Sequence, residues 1–258
     1  MTKPSSKPVE VFPSPPNRPP GKTISSKLLF FLRRVLDFQV QSVLLALTPW
    51  LAKREGLLLE VGCGAQPYRH LVHESCRYLC LDWVGAMSQF GYRAPQSVLF
   101  DGGEFPFQNG VFDGIFHTEV LEHVWDCRRF LSECRRVLKP GGVMFLSVPF
   151  QARYHYIPHD YWRFTPSALN RLLEESGFQK ICVQPRGTDI TVAAYKVITL
   201  FYRWASSGSM AKITLSLVMS PLLLLCLFVG HFSLFGKLGS PDDTLGYIVT
   251  AQADEPSA

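Results

Sequence analysis

Leu57-Leu-Leu-Glu-Val-Gly-Cys-Gly-Ala-Gln-Pro67 sets the organisation of the chain. Its apolar start is typical of a buried strand. Gly62 and Gly64 then predict a tight turn, because glycine readily adopts left-handed backbone conformations and lets a ligand approach closely. Glu60 adds a carboxylate at the carboxyl end of the strand, where ligands bind in an open α/β sheet. We therefore expect a strand and a turn that bind a small molecule.

Two further acids end short apolar runs later in the chain. Asp82 follows the run that begins at residue 77, and it lies 22 residues after Glu60. This separation is close to the roughly twenty residues expected for an acid that accepts hydrogen bonds from ribose hydroxyls. Trp83 is placed to stack on an adenine ring. Asp101 ends a third run, 97–101, directly before Gly102.

These motifs resemble those of class I S-adenosylmethionine-dependent methyltransferases, over roughly residues 55–185. The third glycine of a dinucleotide fingerprint is missing, which argues against an NAD-binding domain. The resemblance implies a Rossmann-like α/β fold with a seven-stranded, mostly parallel sheet and an antiparallel last strand. It also implies S-adenosylmethionine as the cofactor. The matching segments follow the family's order: 60–64, 82, 101–107, 112–113 and 119–123.

The resemblance implies cofactor-binding roles for Glu60, Gly62, Cys63, Gly64, Asp82, Trp83, Asp101, Gly102 and His117. Asp101 is expected to face the exocyclic amine of adenine. Apolar runs predict strands at 57–61, 77–83, 97–101, 111–116, 143–148, 181–185 and 244–251. Helices are predicted at 68–74, 130–138, 167–176 and 192–204, and 117–123 matches the family's start of a helix.

The loop 154–166 is rich in polar and aromatic side chains and follows the predicted fifth strand, which places it over the site. Its string from residue 159 to 166 resembles methyltransferases that act on cell-surface glycans and on related lipid-linked or small molecules. The candidates for catalysis are His159, with Asp160 as its partner or as a direct base, and then His155 and His123. Alternatively, Asp160 and Arg163 pair to pin the loop.

The seven cysteines are scattered and form no Cys-x-x-Cys pair. This pattern is typical of reduced, intracellular cysteine, and it predicts neither a disulfide framework nor a zinc site. No metal ligands are assigned from the sequence.

Positive charge is concentrated near the amino terminus. Residues 1–60 contain nine Lys/Arg and four acids, which accounts for the net charge of +5 of the whole chain. The proline-rich segment 1–22 is predicted to be disordered. Residues 23–54 are predicted to form an accessory amphipathic helix, which either packs on the domain or lies on a membrane. Its charges at 33, 34 and 37 argue against a helix that spans a membrane.

Residues 188–243 form an insertion before the last strand of a methyltransferase domain predicted at 55–252, with a polar tail at 253–258. Within the insertion, 213–235 carries no charged side chain and is long enough to span a membrane. The last strand, however, must return to the sheet, and Pro221 divides the apolar run. We therefore expect a re-entrant or interfacial hairpin with Arg203, Lys212 and Lys237 at the lipid head groups. The alternative is a buried core helix or a dimer helix.

The sequence thus predicts a methyltransferase that acts on a hydrophobic, lipid-linked or glycan-related acceptor, at oxygen, from the cytoplasmic side of a membrane. Two alternatives stay open. One is a soluble, homodimeric small-molecule methyltransferase, and the other is a non-catalytic, membrane-associated scaffold that binds S-adenosylmethionine. A nucleic acid substrate is not expected, because no Asn-Pro-Pro-Tyr-type motif follows the central strand and no second basic domain is present.

Overall fold

The computed structural model of the 258-residue chain describes residues 17–91, 96–236 and 238–254. Most of the predicted arm 1–22, the end of the predicted tail 253–258, and Lys237 lie outside the described residues. The helices are α1 (Ile24–Leu36), α2 (Phe38–Leu51), α3 (Ala86–Phe90), α4 (Cys127–Val137), α5 (Pro166–Glu175), α6 (Asp189–Ala205), α7 (Met210–Val218) and α8 (Ser220–Gly236). The strands are β1 (Gly56–Val61), β2 (Cys76–Trp83), β3 (Val98–Phe100), β4 (Phe112–Thr118), β5 (Leu138–Pro149), β6 (Phe178–Pro185) and β7 (Gly246–Ala253).

The strands form one seven-stranded sheet in the order β3-β2-β1-β4-β5-β7-β6. β1 to β5 pair in parallel, and β7 is antiparallel to both β5 and β6. The predicted Rossmann-like sheet with an antiparallel last strand is therefore confirmed. Leu58, Leu59 and Ile115 are fully buried because helices cover both faces of the central strands.

The strand order reverses between β1 and β4, and their carboxyl ends lie side by side. In open α/β sheets this reversal opens a crevice for ligands. Gly62, after β1, has a φ of +67°, and a Cβ atom there would lie 2.5 Å from Cγ2 of Val120, after β4. Only glycine lets the two turns approach this closely.

The insertion leaves and rejoins the sheet at this same edge. Pro185 at the end of β6 pairs with Tyr247 near the start of β7. Pro149 at the end of β5 pairs with Gly246. Because β7 runs antiparallel to its neighbours, both ends of the segment between β6 and β7 lie at the carboxyl edge, where the crevice opens.

The amino-terminal region forms two helices, and the prediction of a single accessory helix over 23–54 was wrong. The chain breaks at Asp37, whose carboxylate accepts hydrogen bonds from the backbone N–H groups of Gln39 and Val40 and so caps α2. α2 packs on the sheet through an apolar cluster that includes Leu47 and Phe145. α1 has no buried residue. Of the two helices, therefore, only α2 packs on the domain as one of the two alternatives predicted.

Two other predicted helices are absent at their expected positions. In place of a helix over 68–74 there is one 3₁₀ turn, Arg69–Leu71, because only fourteen residues connect β1 to β2 and the chain is already extended at Val72. In place of an α-helix beginning within 117–123, β4 continues to Thr118, and a single 3₁₀ turn, Leu121–His123, forms after it. Glu119 then adopts a left-handed φ of 54°, and α4 begins only after its cap at Asp126.

The insertion contains α6, α7 and α8. α8 packs where Gly230 meets Phe38 and Ala194, with no room for a side chain, and where the hydroxyl of Ser233 bonds with Thr188 and Thr191. These contacts leave most of α8 uncovered.

The break predicted at Pro221 is confirmed, since α7 and α8 meet at Met219 with a bend of 59°. Gly230 and Ser233 are the only buried residues of α8, and α7 has none, so the buried-core alternative was wrong. Among the described residues, no single helix has the length and apolar character to cross a membrane, whereas the bent pair α7–α8 meets both criteria when taken together.

Candidate active site

A cavity of about 380 Å³ opens at the carboxyl edge, where β1, β2 and β4 end. Four of the residues expected to bind the cofactor line it: Gly62, Asp82, Trp83 and Gly102. Aromatic side chains form much of the remaining wall, including Phe90, Phe100, Phe130 and Tyr161. The cavity therefore combines apolar walls with a few polar groups, as small-molecule sites commonly do.

Asp82 is held in a fixed orientation at the end of β2. One carboxylate oxygen accepts the backbone N–H of Gly64 at 2.9 Å, and the other accepts the backbone N–H of Trp83 at 2.8 Å. The side chain is almost buried, and burial raises its pKa while the two N–H groups oppose that change. Each carboxylate oxygen has two lone pairs, so Asp82 can still accept hydrogen bonds from ribose hydroxyls. This donor–acceptor set fits the nucleoside part of S-adenosylmethionine.

Glu60, Cys63 and Gly64 do not line the cavity but support the turn beside it. The hydroxyl of Tyr78 donates a hydrogen bond to Glu60. Burial raises the pKa of Glu60 to about 8, although the bond from Tyr78 opposes the change. Cys63 is buried against Cys80. These three residues therefore support the turn and do not contact a ligand in the cavity directly. Gly64 acts through its hydrogen bond to Asp82.

His117 also lies away from the cavity, in the core. It is fully buried, and neither ring nitrogen has a hydrogen-bond partner among the described residues. Its ring packs edge-on against Phe130, with centroids 5.2 Å apart. Burial lowers the pKa of His117 to about 3, so the ring is neutral. The cofactor-binding role predicted for His117 does not fit this position, because Phe130 and not His117 lines the cavity wall.

Asp101 is exposed beside the cavity and does not line it. Its Oδ1 accepts the backbone N–H of Gly103 at 2.8 Å, and Gly103 does line the cavity. Asp101 therefore shapes the turn after β3, while its contact with adenine stays a prediction.

Two of the four candidates for catalysis, His123 and His159, line the cavity. Nδ1 of His159 lies 3.0 Å from the hydroxyl of Tyr161, and its ring packs 5.7 Å from that of Trp83. Nδ1 of His123 lies 2.6 Å from the backbone oxygen of His159. Burial, together with nearby His155, lowers the pKa of His123 to about 4, so this ring is neutral near pH 7.

Asp160 is not the partner of His159, and that prediction was wrong. Its side chain is 1% exposed and bonds to both terminal nitrogens of Arg163, at 2.6 and 2.8 Å, and to Nδ1 of His155 at 2.9 Å. Burial alone would raise the pKa of Asp160, but Arg163 and His155 hold it well below its usual range. The alternative in which Asp160 and Arg163 pin the loop is confirmed, and neither Asp160 nor His155 lines the cavity.

Sequence reasoning assigned no role to several residues of the cavity wall. Glu119 lines it with a left-handed backbone, and its carboxylate accepts a hydrogen bond from Ser147 at 2.8 Å and pairs with Arg186 at 3.0 Å. Trp125, Asp126 and Arg129 also line it. Of these residues, the sequence signals Asp126, which lies three residues after the motif at 119–123 and is of a type that commonly caps a helix.

Comparison with known proteins identifies a methyltransferase domain in the chain. Residues 59–146 match the family of methyltransferase domains. A probable S-adenosylmethionine-dependent methyltransferase of Mycolicibacterium smegmatis is 31% identical over 132 residues, which cover 47% of this chain and 51% of that protein. A ubiquinone biosynthesis O-methyltransferase of Chelativorans sp. is 30% identical over 193 residues, which cover 65% of this chain and 64% of that protein.

A solved structure of a SAM-dependent methyltransferase from Archaeoglobus fulgidus shares the fold. Its TM-score is 0.51 at 17% identity, and the alignment covers 87% of this chain and 99% of the other. The sheet order defines a Rossmann-like fold, and the cavity that Asp82 lines lies where such folds bind nucleoside-containing cofactors. Residues 59–146 are a methyltransferase domain, and the named relatives support a class I S-adenosylmethionine-dependent methyltransferase, whose cofactor is S-adenosylmethionine. The chain spans about half the length of the Mycolicibacterium relative.

Replacing Arg163 with alanine is expected to lower the free energy of unfolding by about 2–3 kcal/mol. Breaking a buried ion pair by removing one partner costs about 3–5 kcal/mol, and Arg163 is 27% exposed, which reduces that cost. Arg171→Ala is the matched control, because Arg171 pairs with Glu175 on an exposed helix face. Urea unfolding of both variants measures the difference. Equal midpoints for the two variants would contradict the pinned loop.

Proposed function

We propose that this chain transfers the methyl group of S-adenosylmethionine to an oxygen atom of a hydrophobic, lipid-linked or glycan-related acceptor at a membrane surface. The observation that carries the proposal is the cavity, which places Asp82 and Trp83 together with His159 and Tyr161 around one space. The proposed division assigns the first two to the cofactor and the last two to the acceptor.

When bound, the cofactor supplies a methyl group on a sulfonium that is ready to leave, so the protein's main task is to align the acceptor. A hydroxyl acceptor must also lose its proton, and His159 is the proposed base. This role requires the proton of the neutral His159 ring to reside on Nδ1, from which it is donated to the Tyr161 hydroxyl 3.0 Å away. Nε2 then keeps the lone pair that accepts the proton of the acceptor.

Two observations support a hydrophobic acceptor with an oxygen nucleophile. Trp125 and Tyr161 add exposed aromatic surface to the cavity wall, and their rings pack 5.3 Å apart. The Chelativorans relative is named for O-methylation in ubiquinone biosynthesis.

The exposed apolar surfaces of α1 and α8 support attachment to a membrane. Nε2 of His231 on α8 donates a hydrogen bond to the backbone oxygen of Val35 on α1 at 3.0 Å, so the two helices are neighbours. Basic side chains on α1 and at α6–α7, including Lys27, Arg203 and Lys212, suit anionic head groups. The large exposed apolar side chains include Leu28, Leu29, Phe31 and Leu32 on α1 and Leu224, Leu225, Phe228 and Phe232 on α8.

The position of this surface relates the membrane to the site. The insertion leaves and rejoins the sheet at the edge where the cavity opens. At its base, Arg186 pairs with Glu119, which lines the cavity. A lipid-linked acceptor would therefore approach the catalytic edge from the side on which the protein is anchored.

Asp82→Ala is expected to weaken binding of S-adenosylmethionine at least tenfold. The variant loses an acceptor for the ribose hydroxyls, and a hydrogen bond to a charged group is worth about 1.5–3 kcal/mol. Isothermal titration calorimetry on detergent-solubilised protein measures the change, with the exposed Glu74→Ala as the matched control. Folded wild-type protein that does not bind the cofactor would contradict the proposal, as would an Asp82→Ala variant that binds as tightly as Glu74→Ala.

Phe228→Glu is expected to lower partitioning onto vesicles of phosphatidylcholine and phosphatidylglycerol at least tenfold. Phe228 is 72% exposed, and burial of such a side chain in an apolar phase is worth about 1.5–3 kcal/mol, which the charged variant forfeits. Flotation on a density gradient measures the partition. Ser167→Glu, on the exposed start of α5, makes the same change in net charge away from the hairpin.

If the wild-type protein stays at the bottom of the gradient and sediments as a dimer, the exposed apolar surface is a dimer interface and not a membrane-binding surface. Binding of S-adenosylmethionine without methyl transfer to any lipid extract would instead favour the scaffold alternative.

A further inference from the structure

Three side chains of the types that bind metal ions converge beside the cavity: Glu122, His123 and His155. One potential ligand atom of each lies within 4.8 Å of the other two. Glu122 and His123 belong to the 3₁₀ turn Leu121–His123 that follows β4, and His155 comes from the loop after β5. The fold therefore brings His155 to Glu122 and His123, which are adjacent in the sequence.

The Glu122 carboxylate accepts no hydrogen bond from the part of the chain that the structure describes. It is completely buried, and neither of its oxygens has a hydrogen-bond partner among the described residues. The charged groups that face it are two further acids, Glu119 and Asp160, and Arg163, whose guanidinium is bonded to Asp160. A buried carboxylate without donors is costly unless a cation or a proton compensates it.

Both histidines are oriented as metal ligands usually are. Nδ1 of His123 faces the backbone oxygen of His159 at 2.6 Å, and Nδ1 of His155 faces Oδ2 of Asp160 at 2.9 Å. With the proton of each ring on Nδ1, toward these acceptors, the Nε2 atoms present the lone pairs that a metal ion binds. Metal-bound histidines typically have such a carbonyl or carboxylate behind them. Nε2 of His123 lies 3.7 Å from Oε1 of Glu122.

We propose that Glu122, His123 and His155 bind one divalent transition-metal ion through a carboxylate oxygen and two Nε2 atoms. Two imidazoles and one carboxylate form the ligand set of several zinc and non-haem iron sites, whereas Mg²⁺ and Ca²⁺ prefer oxygen ligands throughout. Ligands at about 2.1 Å from a tetrahedral ion lie about 3.4 Å apart. One potential ligand atom of each residue lies within 4.8 Å of the other two, so side-chain movements of up to about 1 Å bring them to this spacing.

Three protein ligands leave at least one coordination position open, and His123 lines the cavity. A hydroxyl oxygen that binds at this position becomes easier to deprotonate, because the ion stabilises the resulting anion. The released proton passes to His159, which lines the same cavity. This catalytic role rests on the proposed function, whereas the binding of the ion does not.

The test uses the full-length wild-type protein, stripped with a chelator and titrated with Zn²⁺ or Co²⁺. We expect one ion per chain, with X-ray absorption showing two imidazoles, oxygen ligands and no sulfur. This measurement needs no variant. Sulfur in the first shell would place the ion on cysteines and overturn the proposal, as would the absence of specific binding.

Glu122→Gln keeps the shape of the side chain but removes its charge, and it is expected to weaken ion binding at least 100-fold. His155→Gln is the second ligand variant in case the first does not fold. His73→Gln is the matched control, because His73 is exposed and bonds to Ser75. Ligand variants that fold and bind the ion as tightly as His73→Gln overturn the proposal.

Binding of S-adenosylmethionine is measured on the same samples. An ion bound in protein that does not bind the cofactor would leave the metal site standing and refute the proposed function. Cofactor binding without specific ion binding would refute the metal site and leave the proposed function standing.

Discussion

The structure depends on parallel pairing of β1 with both β2 and β4. This pairing brings the turns after these strands to one edge of the sheet, where the strand order reverses. The close approach of Gly62 to Val120 fixes the spacing of two of these turns. Asp82, at the end of β2, then joins the turn after β2 to the turn after β1, because it accepts the backbone N–H of Gly64. The crevice for the cofactor is therefore a consequence of backbone geometry before any catalytic side chain is considered.

A second set of contacts covers this edge with the loop after β5. Asp160 holds Arg163 and His155, and the backbone oxygen of His159 faces His123. These contacts fix His159 against the cavity and place His155 beside Glu122. Asp160 therefore serves the site by orienting its neighbours. The same edge is the origin of the insertion with its exposed apolar hairpin, so cofactor, acceptor and membrane surface are proposed to meet there.

The sequence predicted the sheet and its antiparallel last strand, because strand hydrophobicity and glycine turns are local properties. Six of the candidate site residues line the cavity, because their motifs follow the carboxyl ends of strands, while the roles of these residues stay predictions. His117 failed for a related reason: residues alternate between the two faces of a strand, and periodicity alone does not say which face opens to the cavity. The partner of Asp160 and the convergence of His155 with Glu122 depend on how the loop folds back, which spacing does not encode. Asp37 is a residue type that commonly caps a helix and so indicated the break between α1 and α2. The apolar pattern continues across Asp37, however, and predicted one helix.

The most direct test of this account is a crystal structure of the protein with S-adenosylhomocysteine. The account predicts the ribose hydroxyls within hydrogen-bond distance of Asp82, the adenine against Trp83, and the sulfur directed toward the part of the cavity that His159 lines. A nucleoside bound outside this cavity, or ribose hydroxyls that do not contact Asp82, would contradict the central claim that the carboxyl edge between β1 and β4 forms the cofactor site.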